Sequence, residues 1–419
     1  MPSNADRPSR AAMKDLLREA AAPREESRTF PADPVWEGLR RLGTRLWLDT
    51  GDLEGARAQW TAEMEALTTN NTLLNKEIQK GIYDEEIPKV AETLKKADPE
   101  MEEKELVREV SLYLNARHGL KLVEAFGAKV SVEVHTDLAE DLEGTVETAR
   151  FLHSVDPEHF YVKIPLTPAG ILAARRLSRA GVPVNHTLGF SARQNLVTAA
   201  LAGPAYVNVF MGRLNSWVAG NGLGDGKLVG EKATQASQKE ILFLREKGLP
   251  TLQIGASMRE GEQVGLLAGL DVYTMPLKVA REFHDSPPAA LESCLEKDFR
   301  PEFAPGVDPE GLGITRLWEV EDSFRKAVLD LAARVEDSWG AERLEEAFRK
   351  AGAADLFPSW TAREEERLSK GGKLPLLEDW KEELEQGKKG LDALFTRAGL
   401  LAFSKDQAAL DERVRGLLS

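Results

Sequence analysis

The sequence predicts an α/β fold: a (β/α)8 TIM barrel with an N-terminal arm and an extended C-terminal helical region. Two observations predict it. Eight short runs rich in β-branched and aromatic residues recur between positions 46 and 276, and longer stretches of helical period lie between them. The first run, "LWLDTGDLEG", lacks the G-x-G-x-x-G spacing with which an open doubly wound sheet would announce itself. Eight strand-plus-helix units in roughly 250 residues fit a closed barrel, whose functional residues sit at the C-terminal ends of its strands.

Residues 1–45 are polar and carry two short amphipathic stretches, "AAMKDLLREA" and "VWEGLRRL", which read as an N-terminal arm. The strands are expected at "LWLDT" (46–50), "ALTTN" (66–70), "KVSVEV" (129–134) and "FYVKIP" (160–165), then "VPVNHTL" (182–188), "YVNVFMG" (206–212), "TLQIGA" (251–256) and "DVYTMP" (271–276). Candidate helices such as "GILAARRLSRAG" and "SARQNLVTAALAG" repeat apolar residues at three and four and end at glycine, a C-cap signal. The second unit is expanded, with two or three helices expected over 72–128, so the barrel is assigned to 46–300. Beyond it "RPEFAPGVDPEGLG" looks like a linker, and 301–419 read as a helical extension packed on the barrel, broken at "LFPSW" and "SKGGKLP".

Composition narrows the function. An apolar fraction of 42% with 30% charged residues is that of a folded chain, because disorder needs fewer large apolar groups. A net charge of −14 argues against a nucleic-acid partner, and it means that any anionic substrate must be held by local cations working against the overall field. The N-terminus has no apolar signal region, and no stretch near 20 apolar residues occurs, so neither secretion nor a membrane is indicated and a cytoplasmic location is expected. The single cysteine, Cys294, excludes an internal disulfide and reads as a buried structural thiol. The histidines show no ligand spacing, so no metal site is expected. "AGNGLGDGK" (219–227) fails the phosphate-loop pattern and reads as a flexible loop over the barrel mouth. The charge-rich helices at 87–110 and 360–395 are either solvated faces or the surface of a homodimer.

Alternate residues of a strand share a face, which sorts the polar residues. Ser131 and Glu133 oppose Val130, Val132 and Val134; Tyr161 and Lys163 oppose Val162 and Ile164; Asn185 and Thr187 oppose His186. Asp49, Asn70 and Asn208 fall on the polar face of their own strands, Asn208 together with Phe210. Asp49, Asn70, Glu133, Lys163, Asn185, Thr187 and Asn208 should therefore converge on one mouth. A lysine in such a lumen has its charged form disfavoured, so the neutral amine can attack a carbonyl to form a Schiff base, whose iminium stabilises a neighbouring carbanion. The proton transfers that follow need carboxyl groups, and Glu133 and Asp49 are the candidates. Arg213 follows the sixth strand at the same mouth, and Ser257 with Arg259 follow the seventh, a loop region that barrels favour for phosphate.

These segments resemble the class I transaldolases. "YVKIPLTPAGILAARRL" looks like the family's lysine signature and "LTTNNTLL" like its early T-[ST]-N-P-[ST]-L motif. "VSVEV", "VNHTLGFS", "VFMGR", "IGASMR" and "FSKDQAALDERV" are similar to further family segments. The resemblance implies Lys163 as Schiff-base lysine, Asp49 handling the proton of the substrate C4 hydroxyl, and Glu133 with Thr187 positioning a catalytic water. It further implies Asn70 and Asn185 on sugar hydroxyls or the intermediate, and Arg213, Ser257 and Arg259 on the phosphate of a small sugar phosphate. No cofactor or metal is implied. Asn71 stands where the family usually has proline, and Asn208 where many members have serine. The related fructose-6-phosphate aldolases typically carry Tyr at Phe210 and Gln at Glu133, so the chain sides with transfer. Release of the three-carbon unit as an aldolase, use of a sulfonated sugar, and a non-catalytic sugar-phosphate binding barrel stay open as alternatives.

Overall fold

The computed structural model describes residues 7–21 and 29–418. Eight parallel strands close in chain order: β1 (Arg45–Asp49), β2 (Met64–Thr68), β3 (Lys129–Glu133), β4 (Phe160–Pro165), β5 (Val184–Thr187), β6 (Tyr206–Phe210), β7 (Leu252–Ala256) and β8 (Val272–Pro276), with β8 pairing back onto β1. Each expected run holds a strand. The second starts and stops two residues early (64–68 against 66–70), because Asn70 leaves the sheet to cap the helix Asn71–Gln79, its side chain accepting from Leu73 N. Outward residues such as Leu48, Leu67, Val132, Ile164 and Val209 are fully buried under the surrounding helices, as a parallel barrel covered on its outer face requires.

The lumen is layered. At its N-terminal end Trp47, Tyr161 and Tyr206 pack together, with ring centroids 5.8 Å apart for Trp47 and Tyr161 and 4.7 Å for Trp47 and Tyr206. This aromatic plug leaves the C-terminal end as the side open to a ligand. One pleat higher the register aligns Glu133 with Lys163 and Lys163 with Asn185, while Asp49 lies opposite Thr68.

The expanded second unit comprises the helices Asn71–Gln79, Glu86–Ala97 and Glu103–Phe126, the last ending at Gly127 with φ 60°, the left-handed conformation a glycine C-cap supplies. In the N-terminal region the helix Pro8–Ala20 buries Met13 and Leu17 and joins Arg10 to Glu109 at 2.9 Å, and the helix Pro34–Arg41 is capped by Asp33. Past the barrel the irregular 301–314 stretch gives way to the helices Asp322–Ala332, Ala341–Lys350, Ala362–Lys370, Leu377–Glu385 and Leu391–Gly416, and both expected breaks fall between helices. The last helix crosses the C-terminal end of the barrel. Arg193 holds Asp392 through two bonds of 2.8 and 2.7 Å, Thr396 Oγ1 donates to Leu188 O at 2.8 Å, Thr72 donates to Asp406, and His135 Nε2 lies 3.1 Å from Asp411. Among the described residues no helix is long and apolar enough to cross a membrane.

Candidate active site

A cavity of about 260 Å³ opens at the C-terminal end of the strands. Nine of the eleven expected site residues line it: Asp49, Asn70, Lys163, Asn185, Asn208, Phe210, Arg213, Ser257 and Arg259. The other two, Glu133 and Thr187, are fully buried beside it on the strands that flank Lys163.

Lys163 is 4% exposed, and its Nζ donates to Thr69 O at 2.9 Å. That carbonyl is free to accept because the chain leaves β2 at this point, so the helix start after β2 supplies the lysine with a partner. Two carboxyl groups share the lysine's field. Asp49 accepts from Thr68 Oγ1 at 2.7 Å, and Thr68 in turn meets Thr274 Oγ1 at 2.6 Å. Burial pushes the Asp49 carboxyl above its ordinary range, against the opposing pull of Lys163 and of the Thr68 hydrogen bond. Glu133, 2% exposed, accepts from the Asn71 backbone N–H at 3.2 Å. Its carboxyl is also raised, by burial first, with Lys163 and the Asn71 hydrogen bond holding it down and Asp49 pushing it further up. Two weakened acids beside one amine are what proton shuttling near neutral pH needs. The buried Thr187 hydroxyl has no hydrogen-bond partner among the described residues.

The three asparagines differ. Asn185 donates through Nδ2 to Ser131 Oγ at 3.0 Å. Asn208 donates to Asn185 Oδ1 at 3.3 Å and to His186 O at 2.9 Å, and accepts from Gly189 N at 3.4 Å. Its amide is therefore engaged at both ends, and it braces Asn185 while lining the cavity. Asn70 spends its carbonyl oxygen as a helix cap and keeps its Nδ2 for the cavity.

At the opposite rim the backbone is tight. Ser257 has φ 60°, a left-handed conformation costly for a side-chain-bearing residue and common at ligand clamps. A Cβ at Gly212 would lie 2.1 Å from Ser257 O, so only glycine lets the helix Met211–Gly220 approach that loop. Arg213, 5% exposed, sits over the rings of Phe190, Phe210 and Phe403 at 5.9, 5.1 and 5.6 Å, and its NH1 has no hydrogen-bond partner among the described residues. Burial, with Arg259 nearby, lowers the Arg213 guanidinium to about 10. An unpaired buried cation of this kind is poised for an anion.

Thr68, Thr72, Lys76, Thr274, Lys373 and Phe403 also line the cavity. Strand alternation could have picked out Thr274, and helical spacing from the Asn70 cap could have picked out Lys76. Nothing local marks Lys373 or Phe403, which arrive from the C-terminal region. The glycine-rich stretch 219–227 is not over this mouth: none of it lines the cavity, and Gly224 is tied to Phe303 by an antiparallel bridge. His186 points away from the lumen, and burial lowers it to about 4, so it is neutral. Cys294 is buried, which raises its thiol to about 11, in keeping with a structural role.

A family model described as transaldolase/fructose-6-phosphate aldolase matches residues 46–333. The chain belongs to that family. Among its relatives, the probable transaldolase of Kosmotoga olearia is 32% identical over 247 residues, covering 58% of this chain and 89% of the relative. The transaldolase of Protochlamydia amoebophila is 26% identical over 313 residues, 73% of this chain and 90% of the relative. The transaldolase of Prochlorococcus marinus strain MIT 9301 is 31% identical over 243 residues, 56% and 72% respectively. The family match thus spans the closed barrel and every expected site residue, whereas Lys373 and Phe403 lie beyond it.

Proposed function

We propose that the protein is a transaldolase that moves a dihydroxyacetone unit from a ketose phosphate, such as fructose 6-phosphate or sedoheptulose 7-phosphate, to an aldose phosphate through a Schiff base on Lys163. This is the transfer step of the pentose phosphate pathway. One observation carries the reading: a buried lysine at the floor of an open cavity, flanked by two carboxyl groups whose acidity burial has weakened, with arginines at the far rim.

Lys163 Nζ adds to the ketose C2 carbonyl, and loss of water gives the iminium. Glu133 and the Thr187 hydroxyl hold and activate the water that leaves here and returns at hydrolysis. Asp49 accepts the proton of the C4 hydroxyl as the C3–C4 bond breaks and its electron pair flows into the iminium, leaving an enamine and a free aldehyde. Asn185, braced by Asn208, and the free amide of Asn70 bind the hydroxyls of the retained fragment. Arg213, Ser257 and Arg259 bind the phosphate. The enamine then adds to the acceptor aldehyde, Asp49 returns the proton, and hydrolysis frees the product. Phe210 beside the site gives the enamine no phenol from which to take a proton, which favours transfer over release.

Incubation with fructose 6-phosphate followed by borohydride reduction should leave a three-carbon adduct on Lys163, found by peptide mass spectrometry and absent from Lys163→Met. An adduct elsewhere, or none with any ketose phosphate, overturns the reading. Product analysis with and without an acceptor aldehyde separates transfer from release.

A further inference from the structure

Besides Lys163, four cationic side chains line the cavity: Lys76, Arg213, Arg259 and Lys373. Among the described residues none of the four has an ion-pair partner within 4.0 Å, although the chain carries a net charge of −14. Arg213 is buried, whereas Lys76, Arg259 and Lys373 stand exposed around the opening. Like charges gathered at one mouth repel unless an anion joins them, and a phosphate monoester brings about −1.5 to −2.

Lys373 comes from the break "SKGGKLP", and the loop is built to aim it. Gly372 has φ 65°, and a Cβ at Gly371 would lie 2.1 Å from Leu374 O, so the two glycines permit a turn that side chains would block. The loop is fixed to the helix that carries Arg213: Trp217 Nε1 donates to Pro375 O at 2.7 Å, and Asn221 Oδ1 accepts from Leu377 N at 3.4 Å. Asp406, which accepts from Thr72, ties the helix bearing Lys76 to the last helix. A helix and a loop from distant parts of the chain thus deliver two lysines to one rim.

We propose that Lys373, with Lys76 facing it, binds the terminal phosphate of the sugar together with Arg213 and Arg259, making the C-terminal region part of the substrate site. This rests on the reading of the cavity as a sugar-phosphate site. Desolvation holds the Lys373 ammonium below its ordinary range, Asp406 draws it back up, and Arg213, Lys76 and Arg259 press it down. An arriving phosphate relieves that pressure on all four cations together.

The test uses the full chain and the variants Lys373→Met, Lys373→Arg and Lys370→Met, the last an exposed control at the end of the helix that leads into the loop and outside the cavity lining. Two quantities are measured: the affinity for inorganic phosphate by calorimetry, and the ratio of kcat/KM for glyceraldehyde 3-phosphate to that for glyceraldehyde. Loss of one charge-assisted contact should lower each about tenfold in Lys373→Met. Lys373→Arg should recover most of it, and Lys370→Met should leave both unchanged. Phosphate affinity equal to wild type, or a kcat/KM that falls equally for both aldehydes, overturns the proposal, because a merely structural role would not discriminate the phosphate. Borohydride trapping at Lys163 is read separately. A missing adduct with a phosphate affinity that still depends on Lys373 would refute the catalytic reading and keep the anion site.

Discussion

The Asn71 backbone N–H gives the sharpest test of how Glu133 is tuned. Asn71 is the first residue of the helix Asn71–Gln79, and its N–H donates to Glu133 Oε2 at 3.2 Å. Proline at this position removes that donor and little else. The first helical turn tolerates proline, Asn70 already has φ −158° and ψ 170° as a residue before proline must, and both polar atoms of the Asn71 side chain lack partners among the described residues. A hydrogen bond to a charged group is worth about 1.5–3 kcal/mol, and at 3.2 Å this one belongs at the low end. About 1.4 kcal/mol is a tenfold change in the balance between ionised and protonated carboxyl. The sign follows from the causes: burial already raises Glu133, the Asn71 bond opposes that, and its loss raises the group further. If ionised Glu133 activates the water, Asn71→Pro should cut kcat/KM about tenfold on the acid side of the pH profile and leave the alkaline plateau in place. Superimposable acid limbs, or an equal loss at every pH, would refute the reasoning.

Asp49→Asn removes the proposed proton acceptor while keeping the shape and the Thr68 contact, so kcat should fall by roughly 10²–10⁴ while borohydride still traps substrate on Lys163; an unchanged kcat assigns the proton to another group. Arg213→Met replaces an unpaired buried cation by a side chain suited to its three aromatic neighbours. In phosphate-free buffer calorimetry should find it as stable as wild type or more so, by up to about 4 kcal/mol, while KM for a phosphorylated acceptor rises at least about tenfold; a clear loss of stability would show that the arginine is structural. Asp392→Ala strands Arg193 with Asp355 alone at 2.8 Å and should cost about 3–5 kcal/mol in urea unfolding, against a null result if the last helix is held by apolar packing only.

What the sequence determined by itself was periodic or local. Alternation in the eight runs gave the strands and the face of each polar residue, because a strand's two-residue repeat leaves Lys163 and Tyr161 no choice but to share the side opposite Val162 and Ile164. Closure of the barrel then follows, and with it the gathering of Asp49, Lys163 and Asn185. Three things only the tertiary structure decided. Asn208 is spent on bracing Asn185, a matter of which amide meets which across β5 and β6. The Asn71 N–H reaches Glu133, though 62 residues separate them, because the helix after β2 starts over the end of β3. Phe403 completes the mouth because the last helix is clamped across it through Asp392, Thr396 and Asp406, and Lys373 because its loop is tied to Trp217 and Asn221. No spacing rule reaches such contacts, since they depend on how whole elements dock and not on the repeat within any one of them.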